Sequence, residues 1–187
     1  VPDLPGFGRS DKPVEDDWFT MERMVGSISS LVDDLELTDA TLVCHDWGGP
    51  IGRRVATLER PGEFSRIGAM NTGLFTGYQR MSEDWLHFRD FIASHEDVRI
   101  AMPIQGGAGS ELSDEVIAAY EAPFPTVPSK AGVRAFPPMI PMTPDAPGAA
   151  EGQATGAGEL TVERQAERLR AELHSGREAA VQVDDVD

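Results

Sequence analysis

The chain has 187 residues, a formal net charge of −16 and 40% hydrophobic residues, which is enough for one globular core. The acidity excludes binding to nucleic acid or to an anionic membrane surface, because both need clustered Lys and Arg. The single cysteine, Cys44, excludes a disulfide framework and a cysteine-rich zinc site, and it fits a cytoplasmic location. No stretch reaches the roughly 18 apolar residues of a membrane span.

The first part of the chain alternates between segments typical of helices and segments typical of strands. In chain order the predicted elements are a Pro- and Gly-rich loop over 2–13, a helix over 18–35 capped by Asp17, a strand over 40–44, a helix over 51–58 and a strand over 65–71. The apolar, β-branched run 40–44 predicts a strand buried on both faces of a parallel sheet. Strand, glycine turn, helix and strand in this order predict an α/β fold.

The second part of the chain has shorter and less regular elements. We expect a helix over 82–93 with Trp85, Phe88 and Ile92 on one face, a break at 106–109, a helix over 113–121, a Pro-rich stretch over 122–148, a linker over 145–158 and a charged amphipathic helix over 159–175. The block that follows residue 73 therefore reads as an insertion carried on the sheet.

The most informative residues lie where the first predicted strand turns into a helix, in the sequence Cys44-His45-Asp46-Trp47-Gly48-Gly49. This is the place of a nucleophile elbow, usually written G-x-S-x-G, with Asp46 as the central residue. Cys44 stands where the pattern prefers Gly, and Gly48 is expected to be the glycine that the tight return requires.

An aspartate in this position can act as a covalent nucleophile, because negative charge is favoured at a helix N-terminus. The backbone N–H of Trp47 is placed to stabilise an oxyanion, and its indole N–H can donate to a departing halide. The alternative is a plain helix N-cap at Asp46 followed by a glycine turn. His45 is expected to pack beside the strand, since neighbouring strand residues point to opposite faces.

Three stretches of the sequence resemble the haloalkane dehalogenases of the α/β-hydrolase superfamily: PDLPGFGRSDKP at 2–13, VCHDWGGPIG at 43–52 and AAYEAPFPTVPSKAGVRAFPPMIP at 118–141. The resemblance implies an α/β fold made of a partial parallel sheet with flanking helices and a helical cap insertion. It implies a partial hydrolase core over 1–73, a cap-like region over 74–153 and a divergent tail over 154–187. It also implies a small halogenated substrate, with Asp46 as nucleophile, Trp47 as halide donor and no cofactor or metal.

The departures from the family pattern predict an incomplete and poorly active enzyme, truncated at both ends and monomeric if completed. The family's general-base histidine has no recognisable counterpart in the tail, where His174 is expected to be solvent-exposed. A second halide-binding tryptophan would fall near 105–110, where the chain reads QGGAGS, and Trp85 does not match that place. The alternatives are an epoxide hydrolase, for which Tyr78 and Tyr120 would be the only tyrosines, and a fragment without catalytic function.

Overall fold

Two parallel strands carry the site region in the computed structural model, which describes residues 1–158. Strand β1 (Ala40–His45) pairs with strand β2 (Phe64–Met70), and His45 lies opposite Met70 at the carboxyl edge. Helix α2 (Gly48–Arg54) follows β1 directly and continues as a wider π-helical turn over Val55–Glu59. This partial parallel sheet with flanking helices confirms the predicted fold class, although α2 begins earlier than the predicted 51–58.

Strand β1 is not buried on both faces, so that prediction was wrong. Cys44 is buried, whereas Val43 on the opposite face is 65% exposed. The covered face packs on α2, where Gly52 comes close to Leu42, and the other face has no covering element among residues 1–158. An apolar run therefore identified the strand but not how many layers cover it.

Helix α1 (Met21–Asp34) begins at a different residue from the one predicted. Thr20, in an extended conformation, accepts a hydrogen bond on its side chain from the Arg23 backbone N–H at 3.2 Å. Asp17 instead lies in a separate 3₁₀ turn over Asp16–Trp18, so the prediction that it caps the helix was wrong. Both are typical N-cap residues, and only the backbone path between them distinguishes the two.

The second part of the chain is helical and short in its elements. They are helix α3 (Glu83–Ser94), helix α4 (Ala101–Gly107), helix α5 (Asp114–Glu121), helix α6 (Ala131–Ala135) and the 3₁₀ turns Pro128–Lys130 and Pro137–Met139. Ser82 and Ser113 cap α3 and α5 by accepting backbone N–H bonds on their side chains. The predicted break at 106–109 comes late, since α4 extends to Gly107.

The predicted linker over 145–158 is also wrong, because residues 149–158 form a helix, named α7 here. Ala149 and Thr155 are fully buried in it, at 0% and 1% exposure. A Cβ at Gly152 would lie 2.8 Å from the carbonyl carbon of Phe75, so the missing side chain lets α7 pack on that backbone. Helix α7 runs across the predicted boundary at 153/154. The predicted helix over 159–175 lies outside the described residues.

The two parts of the chain share one buried cluster and one polar clamp. The cluster contains Phe19, Met24, Val25, Val32, Ile51, Val55, Ala131 and Phe136. The clamp is Arg134, which donates to both carboxylate oxygens of Asp16, at 3.2 and 2.7 Å, and to the carbonyls of Glu96 and Val127. None of the helices within residues 1–158 is long and apolar enough to cross a membrane.

Candidate active site

The turn between β1 and α2 holds Asp46 in an unusual backbone conformation. Its φ is +48°, in the left-handed region that side-chain-bearing residues rarely adopt, and its side chain is exposed. Trp47 follows as the N-cap residue of α2, and the Asp46 carbonyl accepts a hydrogen bond from the Gly49 backbone N–H at 2.9 Å. A strained residue between a strand and a helix is the geometry expected of a nucleophile elbow.

The glycine on which this turn depends is Gly49, not Gly48 as the sequence suggested. A Cβ at Gly48 would lie 3.8 Å from the Cys44 Cβ, an ordinary contact. A Cβ at Gly49 would fall within 2.7 Å of both Cβ and Cγ2 of Thr72 and collide with the Thr72 hydroxyl. Gly49 therefore makes room for a residue that arrives from the next strand.

The carboxyl edge of β2 brings a second polar turn beside the first. Because His45 pairs with Met70, Asp46 and Asn71 leave the sheet side by side. Asn71 is also left-handed, with φ +40°, and the hydroxyl of Thr72 donates to the Asp46 carbonyl at 2.6 Å. Sequence reasoning missed Thr72, because this contact joins positions 26 apart and leaves no local pattern.

Asp46 and Trp47 line a cavity of about 640 Å³ whose other walls are mostly apolar. The lining residues are Phe7, Asp46, Trp47, Asn71, Thr72, Gly73, Phe75, Met81, Trp85, Phe88, Val133, Phe136, Pro137 and Ile140. The three stretches that resemble the dehalogenases all reach this cavity, at Phe7, at Asp46 and at Phe136 respectively. Its volume lies within the roughly 300–1,000 Å³ of small-molecule sites.

Two tryptophans face this cavity. The Trp47 ring makes edge contacts with Phe75 and Phe136, at centroid distances of 5.2 and 4.8 Å, which fix its orientation. Trp85 on α3 lines the same cavity, although its place in the sequence does not match the family's second tryptophan, whereas residues 105–110 do not line it. The signal was present in the sequence, because Trp85 and Phe88 lie on the same predicted helix face.

The histidines of the described residues stay outside the cavity. His45 is exposed at the end of β1 and is not packed beside the strand as expected, and His87 and His95 are exposed on or beside α3. His174 lies outside the described residues. Across residues 1–158, no group of three or more His, Cys, Asp or Glu side chains is arranged to hold a metal ion.

Known proteins similar to this chain are α/β hydrolases, which have the fold that the geometry shows. The family model of the alpha/beta hydrolase fold matches residues 1–97. A haloalkane dehalogenase of Psychrobacter cryohalolentis is 42% identical over 154 residues, which is 82% of this chain and 50% of that protein. A haloalkane dehalogenase of Mycolicibacterium paratuberculosis is 36% identical over 147 residues, covering 79% of this chain and 48% of that protein.

A solved structure is similar in fold as well as in sequence. The tetrameric haloalkane dehalogenase of Paraglaciecola agarilytica superposes with a TM-score of 0.73 at 34% identity, covering 82% of this chain and 51% of that chain. The present chain thus spans about half the length of the curated relatives that it matches.

Proposed function

The chain belongs to the α/β-hydrolase-fold family, and from this we propose that it carries the nucleophile half of a hydrolase of the haloalkane dehalogenase type. The observation that carries the proposal is the combination of a strained, exposed Asp46 with two tryptophans in one mostly apolar cavity. An apolar cavity favours an uncharged organic substrate, and a carboxylate with neighbouring indole N–H donors suits displacement of a halide.

In the first step a carboxylate oxygen of Asp46 attacks the carbon that bears the halogen. The new carbon–oxygen bond forms as the carbon–halogen bond breaks, and the halide leaves with the bonding electrons. The indole N–H groups of Trp47 and Trp85 are the donors proposed to stabilise the halide. The product of this step is an alkyl ester on Asp46.

In the second step a water attacks the ester carbonyl, the ester bond to the alkyl oxygen breaks, and the alcohol leaves as the carboxylate is restored and one proton is released to solvent. The backbone N–H of Trp47 is the proposed donor to the oxyanion. A base that activates the water contributes typically about 10²–10⁴-fold. No histidine among residues 1–158 lines the cavity, so we expect this chain to complete the first step and to hydrolyse the ester slowly.

The two alternatives from the sequence are weaker. An epoxide hydrolase would need tyrosine hydroxyls directed at the substrate, but Tyr78 is 72% exposed and Tyr120 is 45% exposed, and neither lines the cavity. A fragment without catalytic function would not account for Asp46, Trp47 and Trp85 lining one mostly apolar cavity. The monomeric state and the cytoplasmic location remain predictions.

The test is covalent labelling of the 187-residue chain with 1-bromohexane. We expect at most one bromide released per chain, an intact mass increased by one hexyl group, and the label on the peptide that contains Asp46. Asp46→Asn should abolish labelling. Asp39→Asn is the matched control, because Asp39 is also an exposed, left-handed aspartate, with φ +49°, and does not line the cavity.

The halide donors are tested by the labelling rate. Trp85→Phe keeps the ring but loses the N–H, and the rate should fall roughly 10- to 100-fold, the value of a hydrogen bond to a charged group. Trp18→Phe, outside the cavity, should label at the rate of the unmodified chain. Labelling that survives Asp46→Asn would contradict the role of Asp46 as nucleophile, and many turnovers per chain would contradict the expected slow hydrolysis of the ester.

A further inference from the structure

The Asp46 carbonyl oxygen accepts two hydrogen bonds of different origin. One comes from the Gly49 backbone N–H at 2.9 Å and closes the turn locally. The other comes from the Thr72 hydroxyl at 2.6 Å and crosses from the end of β2. Of these two bonds, only the one from Thr72 links the Asp46 turn to the end of β2.

The turn needs such a tie because its central residue is strained. A non-glycine residue at φ +48° persists only where its surroundings hold it in place. The peptide at Asp46 determines where its side chain points, so a relaxed φ would move the carboxylate relative to the cavity. The hydrogen bond from Thr72 therefore influences the direction in which the Asp46 carboxylate points.

Thr72 and Gly49 fit together as one unit. The Thr72 side chain occupies the space that a Cβ at Gly49 would need, and Thr72 itself is half-buried. A larger residue at position 49 would displace the hydroxyl from the Asp46 carbonyl. The close approach of these two residues makes the hydrogen bond possible.

We propose that Thr72 is a positioning residue for Asp46, whose hydroxyl holds the left-handed turn and so directs the carboxylate into the cavity. The inference rests on the proposed role of Asp46 as nucleophile. Loss of the hydroxyl lowers the maximal rate of ester formation more than it changes the half-saturating substrate concentration, because the hydroxyl donates to the Asp46 carbonyl, although the Thr72 side chain also lines the cavity.

The experiment compares single-turnover labelling by 1-bromohexane in Thr72→Val, Thr72→Ser and the unmodified chain. Thr72→Val, which keeps the shape and loses the hydroxyl, should slow the maximal rate roughly 2- to 12-fold, the loss of one hydrogen bond. Thr72→Ser, which keeps the hydroxyl, should label at the rate of the unmodified chain. Thr41→Val is the matched control: it makes the same change on β1, away from the cavity, and should have no effect.

A double variant tests the partnership with Gly49. Gly49→Ala already displaces the hydroxyl, so adding Thr72→Val to it should slow labelling much less than Thr72→Val does alone. Fully multiplicative effects of the two changes would overturn the inference. So would a Thr72→Val variant that labels at the unmodified rate, or one altered only in half-saturating concentration.

Amide hydrogen exchange provides a readout that needs no chemistry at Asp46. Thr72→Val should speed exchange of the Gly49 amide roughly 2- to 12-fold, whereas Thr72→Ser and Thr41→Val should not. If the unmodified chain is never labelled, the proposed function fails, and exchange alone decides whether Thr72 holds the turn. Unchanged exchange at Gly49 overturns that as well.

Discussion

Replacing Arg134 by Met should reveal how strongly the two parts of the chain are held together. The Arg134 side chain is only 13% exposed and makes four hydrogen bonds, two of them to the Asp16 carboxylate. Methionine keeps the unbranched apolar stem of the side chain and removes the guanidinium with every donor. The Asp16 carboxylate is then left without this partner, and so are the carbonyls of Glu96 and Val127.

The magnitude follows from how exposed each partner is. Breaking a buried ion pair costs about 3–5 kcal/mol, but the Asp16 side chain is 55% exposed, so water replaces part of the loss. The two carbonyls add about 1 kcal/mol each where water cannot reach them. We therefore expect Arg134→Met to lower the free energy of unfolding by about 2–3 kcal/mol. At about 2–4 °C per kcal/mol, Tm should fall by roughly 4–12 °C.

Urea and thermal unfolding, followed by circular dichroism, measure this change. Arg9→Met is the control, because the Arg9 side chain is 99% exposed and its Nε lies 3.9 Å from Oδ2 of Asp3. Its loss should change the free energy of unfolding by less than about 0.5 kcal/mol. Equal effects of the two substitutions would refute the reasoning. Since the Arg134 contacts are partly shielded, 0.5 M NaCl should weaken them little.

Three further predictions concern stability and local structure. Gly49→Ala should lower stability by about 1–3 kcal/mol through overpacking against Thr72, whereas Gly48→Ala should be nearly neutral, and equal losses in urea unfolding would count against this. The hydrogen bond from Arg60 lowers the pKa of Asp33 below its ordinary 3.8. The stability that this hydrogen bond contributes is therefore present above that pH and is lost as the pH falls through the lowered pKa. Asp33→Asn should reduce the dependence of the free energy of unfolding on pH in this acidic range. Elastase should cut slowly within 149–158, because this segment is a packed helix, and early cleavage there would show that α7 is not stable.

Local patterns in the sequence predicted the strands, most of the helices and the position of the turn at Asp46. The β-branched run before Asp46 and the helical spacing of Trp85, Phe88 and Ile92 each reflect a short-range rule that the structure follows. Asp46 could be singled out because the turn that it occupies is coded by adjacent residues.

What the sequence did not reveal depends on contacts between distant residues. The role of Gly49 exists only because Thr72 arrives from β2, and α7 is ordered because Gly152 packs against the Phe75 backbone. Glycine and alanine in 149–158 have the composition of a linker, yet their small size is what allows close packing. The spacing of Trp85 along the chain does not predict that it lines the cavity, because only its position in the folded chain decides this.

The contact between α7 and the loop after β2 has a consequence for the order of events during synthesis. The Gln153 side chain donates to the Thr76 carbonyl at 3.0 Å, across 77 residues of chain. At roughly 5–20 residues per second, a ribosome needs on the order of 4–15 s to add that length. Over that interval β1 and β2 can pair and Thr72 can reach Asp46. The backbone at Phe75 does not yet have α7 to pack against. The Asp46 turn can thus be assembled from early contacts, seconds before α7 packs against the Phe75 backbone.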